Sequence, residues 1–306
     1  HQFQKYSINN KHGYITHNYV RSIYADTKNN VWVSFRSGQV NKLIYHKSED
    51  RHKYLRSYSI IRPENHTSLN NYSMNAFCET GDGLMLAGGE QGILVVNDTS
   101  MTFFLPRKYQ SSVVLVWSIY EDRQGNIWVG TNGYGLFVYD RKTQKIKNYR
   151  NDINDSTTIS NNKIWKIFED SGGRIWLGTD KGLIQAIGEQ PVSELRFSRF
   201  ALPGKADPNI WSINEDNYGN LWIGTTGNGV YKIALVSMQA ERIDKIKAKV
   251  ISTIVFDKSG DAWISTNGGL YKYCPEDNTV NYYSEDDGLL NNDFNYNAGA
   301  VTAQGN

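Results

Sequence analysis

Three acidic pairs recur along the chain, and carboxylates of this kind could perform glycoside hydrolysis. The pairs are Glu121-Asp122, Glu169-Asp170 and Glu215-Asp216. A glycosidase places two carboxylates on either side of one bond. A catalytic group is needed once, however, whereas a turn residue is needed in every repeat. We therefore interpret the aspartates as turn residues that accept backbone N–H bonds.

Tryptophan also recurs, at Trp32, Trp128, Trp176, Trp222 and Trp263. All but Trp32 lie in a short apolar segment that begins shortly after a glycine. A large aromatic residue that returns once per repeat suits the space between neighbouring sheets. We predict that these side chains pack in the core.

Other catalytic signatures are missing from the sequence. All six histidines lie within the first 66 residues, and none has a partner at the spacing of a helical metal site. We expect them in exposed loops. No glycine-rich phosphate loop opens a helix, and no G-x-S-x-G elbow occurs. The sequence therefore predicts no metal, no cofactor and no catalytic residue.

One repeated sequence phrase indicates the strands that position these residues. Its clearest copies are Gly125–Thr131, Gly173–Thr179 and Gly219–Thr225, and looser copies centre on Trp32, Met85 and Trp263. The centres lie 41 to 53 residues apart. A period of about 40–50 residues is typical of one four-stranded propeller blade. Within the third unit we predict strands at Val113–Asp122, Ile127–Thr131, Leu136–Tyr139 and Ile146–Tyr149.

The repeats predict an all-β propeller of about seven blades, each a four-stranded antiparallel sheet. Residues 3–6 resemble an outermost strand, whereas residues 294–306 resemble an innermost strand followed by a turn. We therefore expect six complete blades and a seventh divided between the two ends, within one domain over residues 1–306. Residues 238–247 fit either an outer strand or a short helix.

Residues that vary between repeats are the candidates for ligand recognition. Aligned starts of the innermost strands share one channel mouth; they are Arg21, Met74, Trp117, Trp165, Trp211, Ser252 and Asn297. The turns between second and third strands lie at the same end and offer Arg36, Glu90, Tyr134, Lys181, Asn228 and Asn267. Aromatic faces beside Arg, Lys and Asn suit sugars and their acidic substituents. The candidate ligand site is thus Arg21, Arg36, Trp117, Tyr134, Trp165, Lys181, Trp211, Asn228 and Asn297. The alternative is that the tryptophans only plug the channel.

The phrase resembles the two-component regulator propeller repeat, and Ile119–Tyr139 and Ile167–Leu183 match it closely. The segment Gly288–Tyr296 is similar to the passage that closes the second propeller of hybrid two-component sensors from glycan-degrading gut bacteria. The resemblance implies a non-catalytic periplasmic sensing region of a longer, membrane-anchored protein. It implies an oligosaccharide ligand from a polysaccharide, a homodimeric sensor, and a histidine kinase that controls transcription.

Composition fits this assignment without proving it. The chain has 33 basic and 31 acidic residues among 306, so no global field favours nucleic acid. Its two cysteines, Cys78 and Cys274, fall in non-adjacent repeats and are not expected to form a disulfide. Two alternatives stay open: a propeller-fold polysaccharide lyase or glycosidase, and a purely structural scaffold.

Overall fold

Short strands separated by glycine-rich turns fold into six four-stranded antiparallel sheets within the described residues of a computed structural model. The structure describes residues 19–47, 52–58, 73–90, 92–97, 101–104, 114–188, 194–204, 207–297 and 299–301. In each sheet the strands follow chain order from the innermost to the outermost. We number these sheets blade 1 to blade 6.

The four strands of each blade occupy equivalent places. The innermost strands are β1 (Val20–Ala25), β5 (Met74–Glu79), β9 (Val116–Glu121), β13 (Ile164–Glu169), β17 (Asn209–Glu215) and β21 (Ile251–Phe256). The second strands are β2 (Val31–Phe35), β6 (Met85–Gly89), β10 (Ile127–Thr131), β14 (Ile175–Thr179), β18 (Asn220–Thr226) and β22 (Ala262–Thr266). The third strands are β3 (Val40–Lys47), β7 (Gly92–Val96), β11 (Leu136–Asp140), β15 (Gly182–Ile187), β19 (Val230–Ala234) and β23 (Gly269–Cys274). The outermost strands are β4 (His52–Tyr58), β8 (Met101–Phe103), β12 (Lys145–Tyr149), β16 (Arg196–Phe200), β20 (Gln239–Arg242) and β24 (Thr279–Tyr283).

Several strand predictions are confirmed. The four strands expected in the third unit are all present; β10 has the expected ends, and the ends of the other three shift by one to three residues. The ambiguous segment 238–247 contains the outer strand β20, so the helical alternative is wrong. A single 3-10 helix at Glu285–Asp287 is the one helix of three or more residues described. His46 and His52, expected in loops, lie in strands β3 and β4, and the side chains of all six histidines fall outside the description.

The core lies between the blades. Trp32, Trp128, Trp176 and Trp222 are each at most 3% exposed and pack on residues of the following blade. Trp263 is less buried and stacks on Tyr283 at a centroid distance of 5.9 Å. The predicted packing role of tryptophan is therefore confirmed for the first four positions.

The aspartate of the first turn holds both the turn and the tryptophan. In blade 3, Asp122 Oδ1 accepts N–H bonds from Gln124 and Asn126, while Oδ2 accepts from Trp128 Nε1 at 2.7 Å. The same aspartate–tryptophan bond occurs in blades 1, 4, 5 and 6. The predicted turn role is confirmed, and the bond to the indole explains why the two residue types recur together.

Blade 2 corrects the sequence alignment by one residue. Leu86 pairs with Cys78 as Trp128 pairs with Tyr120, so Leu86, and not Met85, occupies the tryptophan position. Thr80 replaces the turn aspartate and uses its hydroxyl to accept the N–H of Leu84. Aspartate and tryptophan are thus lost together in this blade.

Residues 294–297 and 299–301 lie between blades 6 and 1, where a seventh innermost strand is predicted. The carbonyl of Asn297 accepts the N–H of Ile23 at 3.1 Å, and Gly299 packs on Thr253. The segment forms no strand in its described part, because residues 296 and 297 make a turn with φ of +55° at Asn297. Six blades are present in the described chain; residues 3–6 and 302–306 lie outside it, and the seventh blade remains a prediction.

Candidate functional site

A β-bulge aims one side chain per blade at the mouth of the central channel. In blade 3 the register steps from Val116 to Ser118, which leaves Trp117 without a partner on β10. The corresponding unpaired residues in the other blades are Arg21, Asn75, Trp165, Trp211 and Ser252. Bulges commonly redirect a side chain in this way. The predicted ring is therefore present, with one correction: Asn75 takes the place assigned to Met74, which is 1% exposed in the core.

Four aromatic rings close this mouth. Tyr296 lies 4.7 Å from Trp117, 6.0 Å from Trp165 and 5.9 Å from Trp211, measured between ring centroids. Neighbouring indoles are 4.7 and 5.6 Å apart. These separations are typical of favourable aromatic pairs. We call these four residues the aromatic cap.

Arg21 and Asn75 tie the cap to blades 1 and 2. The Arg21 guanidinium carbon lies 5.5 Å from the Trp117 ring centroid and 5.2 Å from that of Tyr296. Asn75 Oδ1 accepts hydrogen bonds from Arg21 Nε at 2.9 Å and from the Tyr296 hydroxyl at 3.0 Å. Burial raises the pKa of Tyr296 above its usual value, so this phenol stays protonated and donates.

The indole N–H groups of the cap differ in their partners. Trp165 Nε1 donates to Asp180 Oδ1 at 2.5 Å, and Asp180 also pairs with Lys163. Trp117 Nε1 and Trp211 Nε1 are buried and have no hydrogen-bond partner among the described residues. A buried donor without a partner carries a desolvation penalty of about 1–3 kcal/mol. Such groups are candidate contacts for a polar ligand.

The predicted turn residues lie at the same end of the propeller but outside the cap. Arg36 is exposed and its guanidinium lies over Tyr19, 5.6 Å from the ring centroid. Tyr134 is 39% exposed, Lys181 is exposed and Asn228 is half-buried. The structure thus gathers Arg21, Trp117, Trp165, Trp211 and Asn297 into one cluster, with Asn297 Nδ2 donating to the Asn75 and Trp117 carbonyls. Arg36, Tyr134, Lys181 and Asn228 form an outer rim.

Beneath the cap, the channel encloses a cavity of about 660 Å³. Residues of the six innermost strands line it, together with Asn217, Asn297 and residues 299–301. Lys166 is the one lysine within the described lining. Burial in the channel lowers the pKa of Lys166 below that of an exposed lysine.

The glutamates of the acidic pairs join neighbouring blades. Glu121 accepts the N–H of Gly81 at 2.5 Å, and Glu215 accepts the N–H and the hydroxyl of Ser171. Glu79 and Glu169 bind the same turn position of the preceding blade, at Thr27 and Arg123. These contacts give each glutamate a structural partner, as expected of a residue that recurs.

Three residues of this region were missed or misplaced by sequence reasoning. Tyr296 occurs in no repeat, so comparison between repeats could not select it. Asn75 was hidden by the one-residue shift in blade 2. Lys166 was detectable in principle, because the other blades have Ser, Ala or Thr at the paired position.

Other site types find no support in the described part of the chain. It contains no group of three metal-ligating side chains. Both cysteines are free thiols, as predicted. No helix among these residues has the length and apolarity needed to cross a membrane.

Comparison with known families identifies the repeat. Residues 110–133, 158–181 and 204–227 match the family described as two component regulator propeller. These matches cover the two innermost strands of blades 3, 4 and 5, the blades that contribute the three tryptophans of the cap. No curated protein matches the chain in sequence.

Solved structures share the fold at low identity. The extracellular domain of BT4673 from B. thetaiotaomicron, assigned to a hybrid two component system, is 20% identical with a TM-score of 0.70; the match covers 92% of this chain and 36% of that one. The extracellular domain of BT3049 from the same organism, with the same assignment, is 19% identical with a TM-score of 0.57, over 89% of this chain and 46% of that one. Virginiamycin B lyase from Staphylococcus aureus, bound to quinupristin, is 14% identical with a TM-score of 0.64, over 90% and 87%.

These likenesses establish the propeller fold, and this chain spans less than half the length of the two extracellular domains. The repeat assignment depends instead on the three matched segments. The chain is a β-propeller, and segments of its blades 3, 4 and 5 match the two component regulator propeller family.

Proposed function

We propose that this propeller is a non-catalytic, periplasmic ligand-sensing region of a hybrid two-component sensor. Its ligand is an oligosaccharide derived from a polysaccharide, and it contacts the aromatic cap and its outer rim. The observation that carries this proposal is the occurrence of the matched repeats in the same three blades that contribute the cap tryptophans.

The cap has the chemistry that sugar recognition needs. Trp165 and Trp211 are half-buried, so part of each indole remains accessible for stacking on a sugar ring. Arg36 and Lys181 on the rim are exposed cations that suit uronate or sulfate groups. The buried Trp117 and Trp211 N–H groups would gain acceptors if the cap rearranged around a ligand.

Calorimetric titration with a panel of neutral and acidic oligosaccharides tests the binding step. Trp165→Ala and Trp211→Ala should each weaken binding by about tenfold or more, as truncation of a central aromatic contact does. Tyr218→Ala is a matched control, because Tyr218 is 61% exposed in the turn between β17 and β18, at the end of the propeller opposite the cap. The absence of binding by any panel member would refute the sugar assignment. Unchanged affinity in both tryptophan variants would favour a scaffold with the ligand bound elsewhere.

Signalling requires that the ligand prefer one of two receptor arrangements. We propose that binding changes how two sensor copies associate, and so controls an attached histidine kinase and the transcription of glycan-utilisation genes. A transcriptional reporter in cells with the complete sensor should respond to the oligosaccharide and lose its response with Trp165→Ala. A response that persists in this variant would separate signalling from the cap.

The fold shared with virginiamycin B lyase keeps an enzymatic alternative in view. In the described part of the cap, Asp180 is the acidic group in contact with an indole, and Trp165 and Lys163 already occupy it. The glutamate carboxylates of the acidic pairs accept backbone N–H groups of the neighbouring blade. Assays for reducing ends and for unsaturated products should show no turnover; measurable turnover would favour the alternative.

A further inference from the structure

One lysine in the central channel is unlike its counterparts in the other blades. Lys166 pairs with Gly178 directly after the bulge of blade 4. The same register position holds Ser22, Ala76, Ser118, Ser212 and Thr253. The fold therefore accepts a small side chain here, and the propeller does not need a lysine for its construction.

Two of these counterparts show what the position does when it is structural. Ser118 Oγ accepts the N–H of Ile167, and Ser212 Oγ accepts the N–H of Ile254. Each serine thereby links its blade to the next. A lysine ammonium has no acceptor capacity and cannot make this bond.

The side-chain ammonium of Lys166 forms no hydrogen bond or ion pair with any of the described residues around the cavity. An ammonium group removed from bulk water is costly unless an anion or several acceptors compensate it. The cavity of about 660 Å³ that it lines lies within the range of small-molecule sites. A positive charge in the wall of a cavity of this size is the arrangement expected of an anion receptor.

The opposite end of the cavity presents acceptors. Glu79, Glu121 and Glu215 belong to its lining, and each carboxylate already receives a backbone N–H bond. Arg141 pairs with Glu121. A carboxylate has about four acceptor positions, so the three glutamates retain capacity for hydroxyl donors while their charge would repel a second anionic group.

We propose that the channel beneath the aromatic cap binds a small polyhydroxylated acid of the size of one acidic monosaccharide. Its carboxylate contacts Lys166, and its hydroxyl groups point toward the three glutamates of the lining. This site is separate from the oligosaccharide site proposed above, because the cap tryptophans are not part of the cavity lining. Its ligand carries one anionic group, and neutral sugars and inorganic anions each supply only half of the required contacts.

Calorimetric titration of the chain with sodium D-glucuronate tests the proposal, with D-glucose and sodium sulfate as comparators at constant ionic strength. We expect glucuronate to bind, and glucose and sulfate to bind at least about tenfold more weakly, a factor equal to one charged hydrogen bond. Lys166→Met should abolish glucuronate binding, whereas Lys166→Arg, which keeps the charge, should retain part of it. Lys142→Met is the matched control, since Lys142 is exposed at the outer part of blade 3.

Thermal melting distinguishes a folding defect from a lost contact. Lys166→Met should melt at or above the temperature of the unmodified protein without ligand, because it removes an uncompensated cation, and glucuronate should no longer raise its melting temperature. Arg36→Ala, on the exposed outer rim, should leave glucuronate binding unchanged, which separates this site from the rim. Equal binding of glucose or sulfate, or undiminished binding by Lys166→Met, would overturn the proposal.

Discussion

At the scale of single residues, the pairing of aspartate with tryptophan decides which positions recur. Asp170 is fully buried and accepts hydrogen bonds from the N–H of Arg174 and from Trp176 Nε1. Removal of Asp170 would leave the buried Trp176 N–H without its acceptor, and removal of Trp176 would take one donor from Asp170 Oδ2. This coupling accounts for blade 2, in which Thr80 and Leu86 replace both residues.

A double-mutant cycle in blade 3 tests this coupling. Trp128→Leu should lower the free energy of unfolding more in the native background than in the Asp122→Thr background, with a coupling of about 0.5–3 kcal/mol. The reason is that Asp122 Oδ2 loses its indole donor only when the aspartate is present. Urea unfolding of the four proteins measures the coupling. Asp122→Thr combined with Trp222→Leu, two blades away, is the control that should be additive; additivity in blade 3 itself would contradict the argument.

At the scale of the elements, the second glycine of the repeated phrase, which is Gly130 in blade 3, sets how closely neighbouring blades approach. A Cβ on Gly130 would lie 2.9 Å from the Ile164 carbonyl oxygen, on the innermost strand of the next blade. Gly178 and Gly224 meet Ile210 and Ile251 in the same way. The glycine is therefore a packing requirement between sheets and not a turn residue.

Gly130→Ala should destabilise the protein by about 1–3 kcal/mol, the usual cost of overpacking a tight contact. Gly268→Ala is the matched control, because a Cβ there would meet no atom within 4 Å. Chemical denaturation of both variants gives the comparison. Equal stability of the two variants would show that the blades can separate without cost.

Charged side chains also connect adjacent blades, through Arg141 of blade 3. It pairs with Asp82 of the blade 2 turn and with Glu121 at 2.9 Å. The hydrogen bond from Arg141, followed by that from Thr80, lowers the pKa of Asp82 from 3.8 to about 2. Because the pKa is lower in the folded state, the contribution is present above pH 3.8 and is lost as the pH falls toward 2.

The stability difference between the unmodified protein and Asp82→Asn should therefore shrink between pH 5 and pH 2. The Asp82 side chain is 49% exposed, so solvent screening keeps the effect small and added salt should reduce it further. Urea midpoints at several pH values measure this difference. Asp140→Asn is a useful comparison, because hydrogen bonds from Thr143 lower the pKa of Asp140 without an inter-blade contact. A difference that does not change with pH would exclude the ion pair as a source of stability.

At the scale of the whole molecule, the sequence was informative wherever residues recur. The period, the strand order and the turn aspartates of blades 3 to 5 could be predicted because every copy obeys the same packing constraint. The place of Asn75 at the channel mouth could not be predicted, since a one-residue shift of the alignment leaves no mark in a blade whose phrase has lost its tryptophan. Likewise, Tyr296 has no counterpart in the repeats, and its place in the cap depends on how blades 1 to 5 surround the channel.

Tyr296 joins residues that lie far apart in the sequence. Its ring contacts Trp117, Trp165 and Trp211, and its hydroxyl donates to Asn75, 221 positions earlier in the chain. The backbone beside it supplies the carbonyl of Asn297 to Ile23 in blade 1. The segment therefore connects the last described blade to the first through the channel mouth.

Tyr296→Ala should lower the free energy of unfolding by about 3–5 kcal/mol, the usual cost of removing a large buried aromatic side chain. Tyr296→Phe is the matched variant, which removes only the hydroxyl bond to Asn75 and should cost about 0.5–1.5 kcal/mol. Tryptophan fluorescence should report the change directly in the alanine variant, because three indoles border the vacated space. If the ring closes through this segment, hydrogen exchange in β1 and β21 should accelerate in the alanine variant, while β12 and β16 at the periphery remain protected. Uniform acceleration of all strands would instead show that the blades unfold as one unit and that Tyr296 contributes to global stability alone.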